Sequence, residues 1–411
     1  MAVFQAFKAL RPTSEKAAAV AALPYDVVNR EEARQIGEKN QLSFLHVDRA
    51  EMDLEPDIDL YDERVYDKAR ENLQNMEKEG ILIQDDTPCY YIYELVRKGR
   101  TQSGIVGCSS IDDYMNGIVK KHELTREDKE QDRIHHVDSC NANTGPIFLA
   151  CRYPQSLLAL MERWKAEHPA AYDFTEEDEV AHRVWVIDAP EVTAQICEEF
   201  AGIDSLYIAD GHHRAASAVK VGLKRREENP GFTGKEEFNF FLSVVFPYDQ
   251  LCILPYNRVV KDLNGLTVKA FLGALKFNFE LMLMPGFPCK PVEKHCMGMY
   301  VDGQWYHLKA WPDVYEKKDV LEQLDVSILQ DKVLSPVLGI KDPRTDQRIS
   351  FVGGNHKAAE LARMADQTGG VAFVMYPTSM EDLMQIADEG RLMPPKSTWF
   401  EPKLRSGLFI H

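Results

Sequence analysis

The sequence predicts an α+β protein in which mixed sheets and helices are combined with α/β segments. Residues 89–110 carry two runs of aromatic and β-branched residues around a Lys98–Gly99 turn, the pattern of an antiparallel hairpin. From about residue 183, short apolar runs alternate with longer amphipathic segments, which is typical of strand–helix–strand units. The predicted strands are 184–190, 206–209 and 238–246, and the predicted helices are 191–201 and 211–228.

Other elements follow from capping and turn signals. Asn29 has the position of a helix N-cap, with Glu32 as its capping-box partner. A Pro-rich, aromatic tail is expected to be irregular but packed, since proline opposes helix and aromatic side chains oppose disorder. The remaining predictions are helices at 61–79, 317–338 and 356–366, strands at 147–151, 251–263, 349–354 and 371–377, a hairpin at 297–310 and the tail 393–411.

The length of 411 residues fits two domains. We place the first at 1–235, with the N-terminal elements and the segment DGHHR, and an α/β region at 236–411. No repeat or low-complexity linker marks the boundary.

The composition argues against several classes of protein. The net charge of −17 repels phosphate backbones and so disfavours nucleic acid as a partner. No apolar run approaches the roughly 18 residues of a membrane span, and the N-terminus lacks a secretory signal. The eight cysteines are scattered without a C-x-x-C pair, which is typical of reduced thiols. We therefore expect a cytoplasmic protein, whose oligomeric state the sequence leaves open.

The segment DGHHR is the strongest candidate for a binding site. Asp210 is predicted to be an N-cap between a strand and a helix, and Gly211 allows the tight turn. His212, His213 and Arg214 then fall in the first helical turn, where free N–H groups attract an anion. Three potential cations there oppose the helix dipole unless an anion offsets them. The pattern therefore predicts a phosphate or carboxylate site.

Two other interpretations of this segment stay open. The aspartate is an ordinary N-cap residue, and basic side chains in a first turn also occur as surface decoration. A metal site is the other alternative, although adjacent histidines point in different directions on a helix. A metal hydrolase would need His122, His135 and His136, and we assign no residue as a metal ligand.

The strand–DGHHR–helix arrangement resembles the signature of the ParB/sulfiredoxin superfamily, and is most similar to its branch of free-serine kinases. The chain as a whole resembles a widespread bacterial family of unknown function. The resemblance implies a ParB/sulfiredoxin-like first domain, with the Gly-x-x-Arg turn against nucleotide phosphates. A histidine stands where sulfiredoxin has its cysteine, which argues against sulfiredoxin chemistry. The blocks that carry the family resemblance are 23–33, 122–133, 208–218, 254–263, 342–354 and 393–408.

The resemblance implies a small-molecule kinase with free serine as the leading acceptor. ATP or ADP would be the donor, bound with Mg²⁺, although another phosphate donor stays open. Gly211, His212, His213 and Arg214 would bind phosphates. The base would be an N-terminal acid, Asp26 or Glu32, of which we choose Asp26. Asp210 is a second candidate, as base or as Mg²⁺ ligand. The alternative is a nucleotide-binding regulator of ParB type without kinase activity.

Further polar residues are candidates for substrate binding. The segment 120–133 is predicted to be a solvated helix face, or else to present His122, Glu123, Lys129 and Arg133 to substrate. Later in the chain, Arg258 follows a strand, and Lys396 precedes Ser397 and Thr398 in a possible phosphate-binding turn.

Overall fold

The hairpin predicted around Lys98 lies inside the largest sheet of the computed structural model, which describes residues 1–286 and 288–411. Lys98 and Gly99 both have positive φ, 50° and 77°, as a tight two-residue hairpin turn requires. The chain divides into two units, one of residues 1–251 and 402–411, the other of residues 252–401. Each unit combines sheets with helices, so the predicted α+β class is confirmed.

The first unit is built on a nine-stranded mixed sheet. Its main path runs β6-β10-β7-β11-β5-β4-β9-β8, with β1 paired to β5, and β2 pairs with β3 separately. The strands are β1 Phe4–Gln5, β2 Leu10–Pro12, β3 Leu82–Gln84, β4 Tyr90–Arg97, β5 Arg100–Ser110, β6 Val119–Lys120, β7 Ile147–Cys151, β8 Tyr172–Thr175, β9 Ala181–Ile187, β10 Leu206–Asp210 and β11 Phe240–Pro247.

The helices of the first unit supply the apolar faces that cover this sheet. Buried positions of α7, α8 and α9 pack with β4, β7 and β10 in one continuous core. The helices are α1 Ala17–Val20, α2 Arg30–Lys39, α3 Leu45–Asp48, α4 Glu63–Lys78, α5 Ile111–Met115, α6 Glu127–Cys140, α7 Gln155–Glu167, α8 Pro190–Ala201 and α9 His212–Glu228, with 3₁₀ turns at Ala50–Asp53, Glu237–Asn239 and Tyr248–Gln250.

The second unit contains a six-stranded sheet in the order β14-β16-β15-β18-β13-β17, and a short pair of β12 with β19. Its strands are β12 Ile253–Leu254, β13 Tyr256–Val260, β14 Phe279–Leu283, β15 Cys296–Val301, β16 Gln304–Ala310, β17 Ile349–Gly353, β18 Val371–Val374 and β19 Trp399–Phe400. Its helices are α10 Val268–Leu275, α11 Pro312–Tyr315, α12 Asp325–Leu329, α13 Ala358–Thr368 and α14 Met380–Asp388, with a π-helical turn at Gln330–Leu334.

Two helix predictions in this unit are corrected. The long helix expected at 317–338 is only α12 and the π-helical turn after it. The Asp319 carboxylate accepts the Glu322 N–H, a local turn that competes with helix, and Leu324 is extended. Helix α14 was not predicted from the sequence. Its N-cap residue Ser379 accepts the Asp382 N–H at 3.1 Å.

The unit boundary lies at 251/252 rather than at 235/236. Strand β11 pairs with β5 on one side and β7 on the other, so it belongs to the middle of the first sheet. The tail 402–411 also belongs to the first unit, where Ser406 pairs with Ala22 and Ile410 with Leu10. No helix in the described part of the chain is long and apolar enough to cross a membrane.

Arg405 is the largest fully buried side chain and has 1% of its surface exposed. Its Nε donates to Glu176 at 2.9 Å and its Nη2 to Asp178 at 2.6 Å. A buried guanidinium is tolerated only because two carboxylates and the Lys403 carbonyl accept its hydrogen bonds. These contacts fix the C-terminal tail within the first unit.

We expect Arg405→Met to lower the free energy of unfolding by about 3 kcal/mol, because it leaves partly buried carboxylates without their cation. Urea-induced unfolding measures the change. Arg64→Met is the matched control, since that arginine pairs with acids while 58% exposed and should leave the free energy of unfolding nearly unchanged. Equal losses in the two variants would contradict this assignment.

His182 predicts a pH dependence of stability. Burial, with help from Arg405, lowers its pKa to about 3, against 6.5 ordinarily. Below about pH 6.5 the unfolded chain therefore binds a proton that the folded chain does not bind. The free energy of unfolding decreases as the pH decreases. When the pH is lowered from 7 to 4.5, the free energy of unfolding of His182→Gln should decrease by about 2–3 kcal/mol less than that of the parent. Parallel pH curves from urea unfolding would contradict the prediction.

Candidate functional site

The turn between β10 and α9 carries the DGHHR segment. Gly211 has φ of +92°, a left-handed conformation that favours glycine. Gly211, not Asp210, occupies the N-cap position, so the predicted role of Asp210 as N-cap is wrong. Asp210 is the last residue of β10, and its carboxylate accepts the Gly211 N–H at 3.0 Å. The carboxylate thus holds the turn from the strand side.

Lys403 is the principal partner of Asp210. Its Nζ lies 2.9 Å from Asp210 Oδ2, and the Lys403 side chain is 10% exposed. Burial alone would raise the pKa of Asp210, but Lys403 and then Arg214 hold it well below its usual range. Asp210 is therefore a carboxylate at neutral pH. Lys403 was not predicted as a site residue, although it lies in the block 393–408 that carries part of the family resemblance.

Arg214 lies folded against the backbone. Its Nη1 donates to the Pro146 carbonyl at 2.6 Å. A Cβ on Gly211 would lie 3.2 Å from Arg214 Nε, and a Cβ on Gly145 would lie 3.4 Å from its Nη1. Both glycines therefore leave the room that the guanidinium uses, and Gly145 is a contributor that sequence reasoning did not find.

Arg214 shares a pocket with a second arginine, Arg133. The Arg133 guanidinium lies 4.0 Å from the centre of the Tyr25 ring, and its Nε donates to Asp132 at 3.0 Å. The cavity has a volume of about 20 Å³, close to the minimum for one water molecule. We call it the arginine pocket; its lining residues are Tyr25, Asp48, Arg133, His136, Val137, Asn143, Thr144, Gly145 and Arg214.

The pocket combines cations with one buried carboxylate. Asp48, 5% exposed, accepts the Thr144 hydroxyl at 2.7 Å. His136 contacts the Val47 carbonyl through Nε2 at 3.1 Å, and burial followed by the charge of Arg133 lowers its pKa. His136 is therefore neutral near pH 7, so the positive charge in the pocket comes from Arg133 and Arg214.

The two histidines of DGHHR diverge. The His212 ring turns towards His122, with ring centres 4.5 Å apart in a T-shaped contact. His213 Nε2 instead accepts the Arg126 N–H at 3.0 Å. Burial lowers the pKa of His122 to about 4, and burial followed by His122 lowers that of His212 far below its usual value. The predicted cluster of three cations is therefore wrong for His212, which is neutral.

His122 and Glu123 lie close to His212, and one potential ligand atom from each falls within 4.8 Å of the others. The three-histidine metal site considered from the sequence is not assembled. His135 packs edge-on against Tyr66, and His136 lies in the arginine pocket. The histidine that joins His122 is thus His212, because β10 and β6 are paired strands that bring the two segments together.

The other predicted site residues of the first unit lie outside the arginine pocket. Lys129 Nζ contacts the Tyr61 hydroxyl at 3.2 Å. Lys129 therefore does not line the arginine pocket with Arg133, although both were predicted to contact substrate. Asp26 is exposed, next to Tyr25. Glu32 completes the predicted capping box, since its Oε2 accepts the Asn29 N–H at 2.9 Å. Glu32 is therefore engaged in capping helix α2.

The remaining two candidates belong to the second unit. The Arg258 guanidinium is buried over the Phe351 ring at 5.3 Å, and burial lowers its pKa to about 10. Lys396 Nζ lies 5.7 Å from the centre of the Tyr256 ring. Both cations are thus packed on aromatic rings within their own unit.

Several solved structures are similar to this chain at low sequence identity. A free serine kinase in complex with AMP is 15% identical, with 77% of this chain and 92% of that chain covered and a TM-score of 0.36. A conserved hypothetical protein from Pyrococcus furiosus is 15% identical, covering 76% and 96%, with a TM-score of 0.35. SbnI with C-terminal truncation, from Staphylococcus aureus, is 11% identical, covering 74% and 86%, with a TM-score of 0.37.

Sequence similarity gives the family. No curated protein matches the chain significantly. One family model, described as "Protein of unknown function (DUF1015)", matches residues 4–327. That span includes the DGHHR turn, the arginine pocket and four of the six blocks named above, those at 23–33, 122–133, 208–218 and 254–263. Because the match covers most of the 411 residues, the chain belongs to the DUF1015 family of proteins of unknown function.

Proposed function

We propose that this protein transfers a phosphoryl group from a nucleotide, or another phosphate donor, to a small hydroxyl compound, with free serine the leading acceptor. One observation carries the proposal. Arg133 and Arg214 line the same pocket, and the charge of Arg214 acts on Asp210, an ionised carboxylate. The guanidinium groups would supply charge stabilisation and Asp210 a proton acceptor, both of which phosphoryl transfer needs.

The phosphates would bind where helix α9 begins. The N–H groups of the first helical turn have no partner within the helix, and the positive end of the dipole adds to their attraction for anions. Arg214 and Arg133 would supply forked hydrogen bonds to phosphate oxygens. Since His212 is neutral and faces His122, its backbone N–H, not its ring, would serve the phosphates. The pocket holds about 20 Å³, so binding a phosphate requires the arginine side chains to move outward.

Asp210 is our first choice for the general base. The acceptor hydroxyl oxygen would attack phosphorus as the bond from phosphorus to the donor oxygen breaks, and the hydroxyl proton would pass to the Asp210 carboxylate. Asp26, exposed beside the pocket residue Tyr25, is the second choice. His122, Glu123 and Lys129 stay as proposed contacts to substrate in the first unit. A binding role for Arg258 and Lys396 stays a separate prediction for the second unit.

Mg²⁺ is part of this proposal. Mg²⁺ prefers oxygen ligands and is bound in such sites by one or two carboxylates together with substrate phosphates, whose charge it neutralises. Asp210 fits that requirement in chemistry, although Lys403 competes for one of its oxygens. The imidazoles of His122 and His212 do not suit Mg²⁺.

A nucleotide-binding regulator is the second candidate. The same pocket and helix terminus would then hold a nucleotide without an acceptor, and Asp210 would serve only to hold the turn through Gly211 and Lys403. Nucleotide binding without turnover distinguishes this function from the kinase.

We expect ³¹P NMR to show a new phosphomonoester when the protein is mixed with Mg²⁺, free serine and ATP, ADP or pyrophosphate. Arg214→Ala should slow the reaction by about 100-fold or more, the usual loss when one preorganised donor to a developing charge is removed. Arg133→Ala should act in the same direction. Arg163→Ala, an exposed arginine on α7, is the matched control and should react at the parent rate.

Two results would count against the kinase, and a third against the arginine pocket as its site. Nucleotide binding by calorimetry without donor consumption would favour the regulator. Neither binding nor turnover would remove the phosphate site. Turnover that survives in both arginine variants would place the reaction elsewhere in the chain.

The Asp210–Lys403 pair predicts a shift in the pH–rate profile. Lys403 lowers the pKa of Asp210, so Lys403→Met should raise that pKa and move the acid limb of kcat/KM upward by about 1–3 pH units. Lys403→Arg should restore the parent profile. An acid limb that stays in place in Lys403→Met, with activity abolished in Asp26→Asn, would transfer the role of base to Asp26.

A further inference from the structure

A second chemical cluster meets at the start of α9. His122, Glu123 and His212 each offer one ligand atom, and the three atoms lie within 4.8 Å of one another. The histidines are 1% and 7% exposed, whereas Glu123 is half-buried. In the part of the chain that the structure describes, no other trio of histidine, cysteine or acidic side chains gathers in this way.

The donor set selects a class of metal. Two imidazole nitrogens and one carboxylate oxygen suit Zn²⁺, Co²⁺, Ni²⁺ or Fe²⁺, whereas Mg²⁺ and Ca²⁺ prefer oxygen ligands throughout. The cluster is therefore chemically distinct from any Mg²⁺ held by phosphates.

The surroundings of His122 fit a ligating histidine. Its ring hydrogen-bonds the Ile208 carbonyl, on strand β10. Metal-bound histidines generally donate their second ring N–H to such a carbonyl, which fixes the tautomer and orients the ring. The backbone N–H of His122 lies 3.5 Å from His212 Nε2. Strand pairing between β6 and β10 brings the segment that follows β6, with His122 and Glu123, close to His212 at the start of α9.

Packing alone is a poorer account of this cluster. Two buried imidazoles and a carboxylate carry polar atoms that a core must desolvate, and apolar residues would fill the same volume at lower cost. The usual reason to keep such a group together is a bound ion or a chemical role. The arginine pocket does not supply that role, since none of the three side chains lines it.

We infer that His122, Glu123 and His212 form a binding site for a divalent transition metal of the zinc class. Three protein ligands leave a fourth tetrahedral position for water or for an anionic oxygen of a ligand.

Metal titration of the full-length protein, stripped with chelator, tests this site. We expect one equivalent of Zn²⁺ to bind by calorimetry, and one equivalent of Co²⁺ to give the strong visible absorption of a tetrahedral complex. Excess Mg²⁺ should not displace either ion. Glu123→Gln should weaken binding by more than about 100-fold, since loss of an outer-shell partner alone costs about 10–100-fold.

His135→Ala is the matched control and should bind like the parent, because this exposed histidine packs on Tyr66 outside the cluster. Glu123→Gln alters a half-buried side chain by one atom, so circular dichroism should show the parent fold, and His122→Ala then provides the second test. Absence of one-to-one binding would overturn the site. Binding that survives both variants, or that Mg²⁺ displaces, would overturn it equally.

Discussion

The ion pair of Asp210 with Lys403 is the contact on which the candidate site depends. It joins the end of strand β10 to a C-terminal segment that lies 193 positions away in sequence. A partly buried pair costs desolvation free energy and is retained where its geometry is required. Here the carboxylate also accepts the Gly211 N–H, so one side chain fixes both the left-handed turn and the returning tail. Arg405, two residues further on, anchors the same tail through Glu176 and Asp178.

The residues that follow this turn differ in charge. Arg214 stays cationic and lies against the backbone at Pro146, in a pocket with Arg133. His212 is buried against His122 and is neutral. One short segment therefore faces two environments of opposite character: guanidinium groups that attract anions, and neutral imidazoles that suit metal cations. Successive positions on a helix point about 100° apart, so His212 and Arg214, which are two positions apart, point in nearly opposite directions.

Local sequence signals predicted most of the elements and part of the site. The Lys98–Gly99 turn, the capping box at Asn29 and the apolar runs have short-range causes, so they could be identified without a structure. The helix expected at 317–338 failed because Asp319 captures a backbone N–H locally. Lys403 could not be found in this way, because its role depends on long-range folding of the tail. The neutrality of His212 is likewise a product of burial, which composition does not reveal.

The two proposed sites share one field. Lys403 and Arg214 both act on the charge of Asp210, so this carboxylate senses the arginine pocket, and in the chain it lies two residues before His212 of the histidine cluster. An anion bound at the arginines would reduce the positive potential on Asp210, and a divalent cation at the histidines would increase it. Bound together, the two ligands would therefore offset one another's charge, and each would favour the other by the same free energy. Lys403 keeps Asp210 charged when neither ligand is bound.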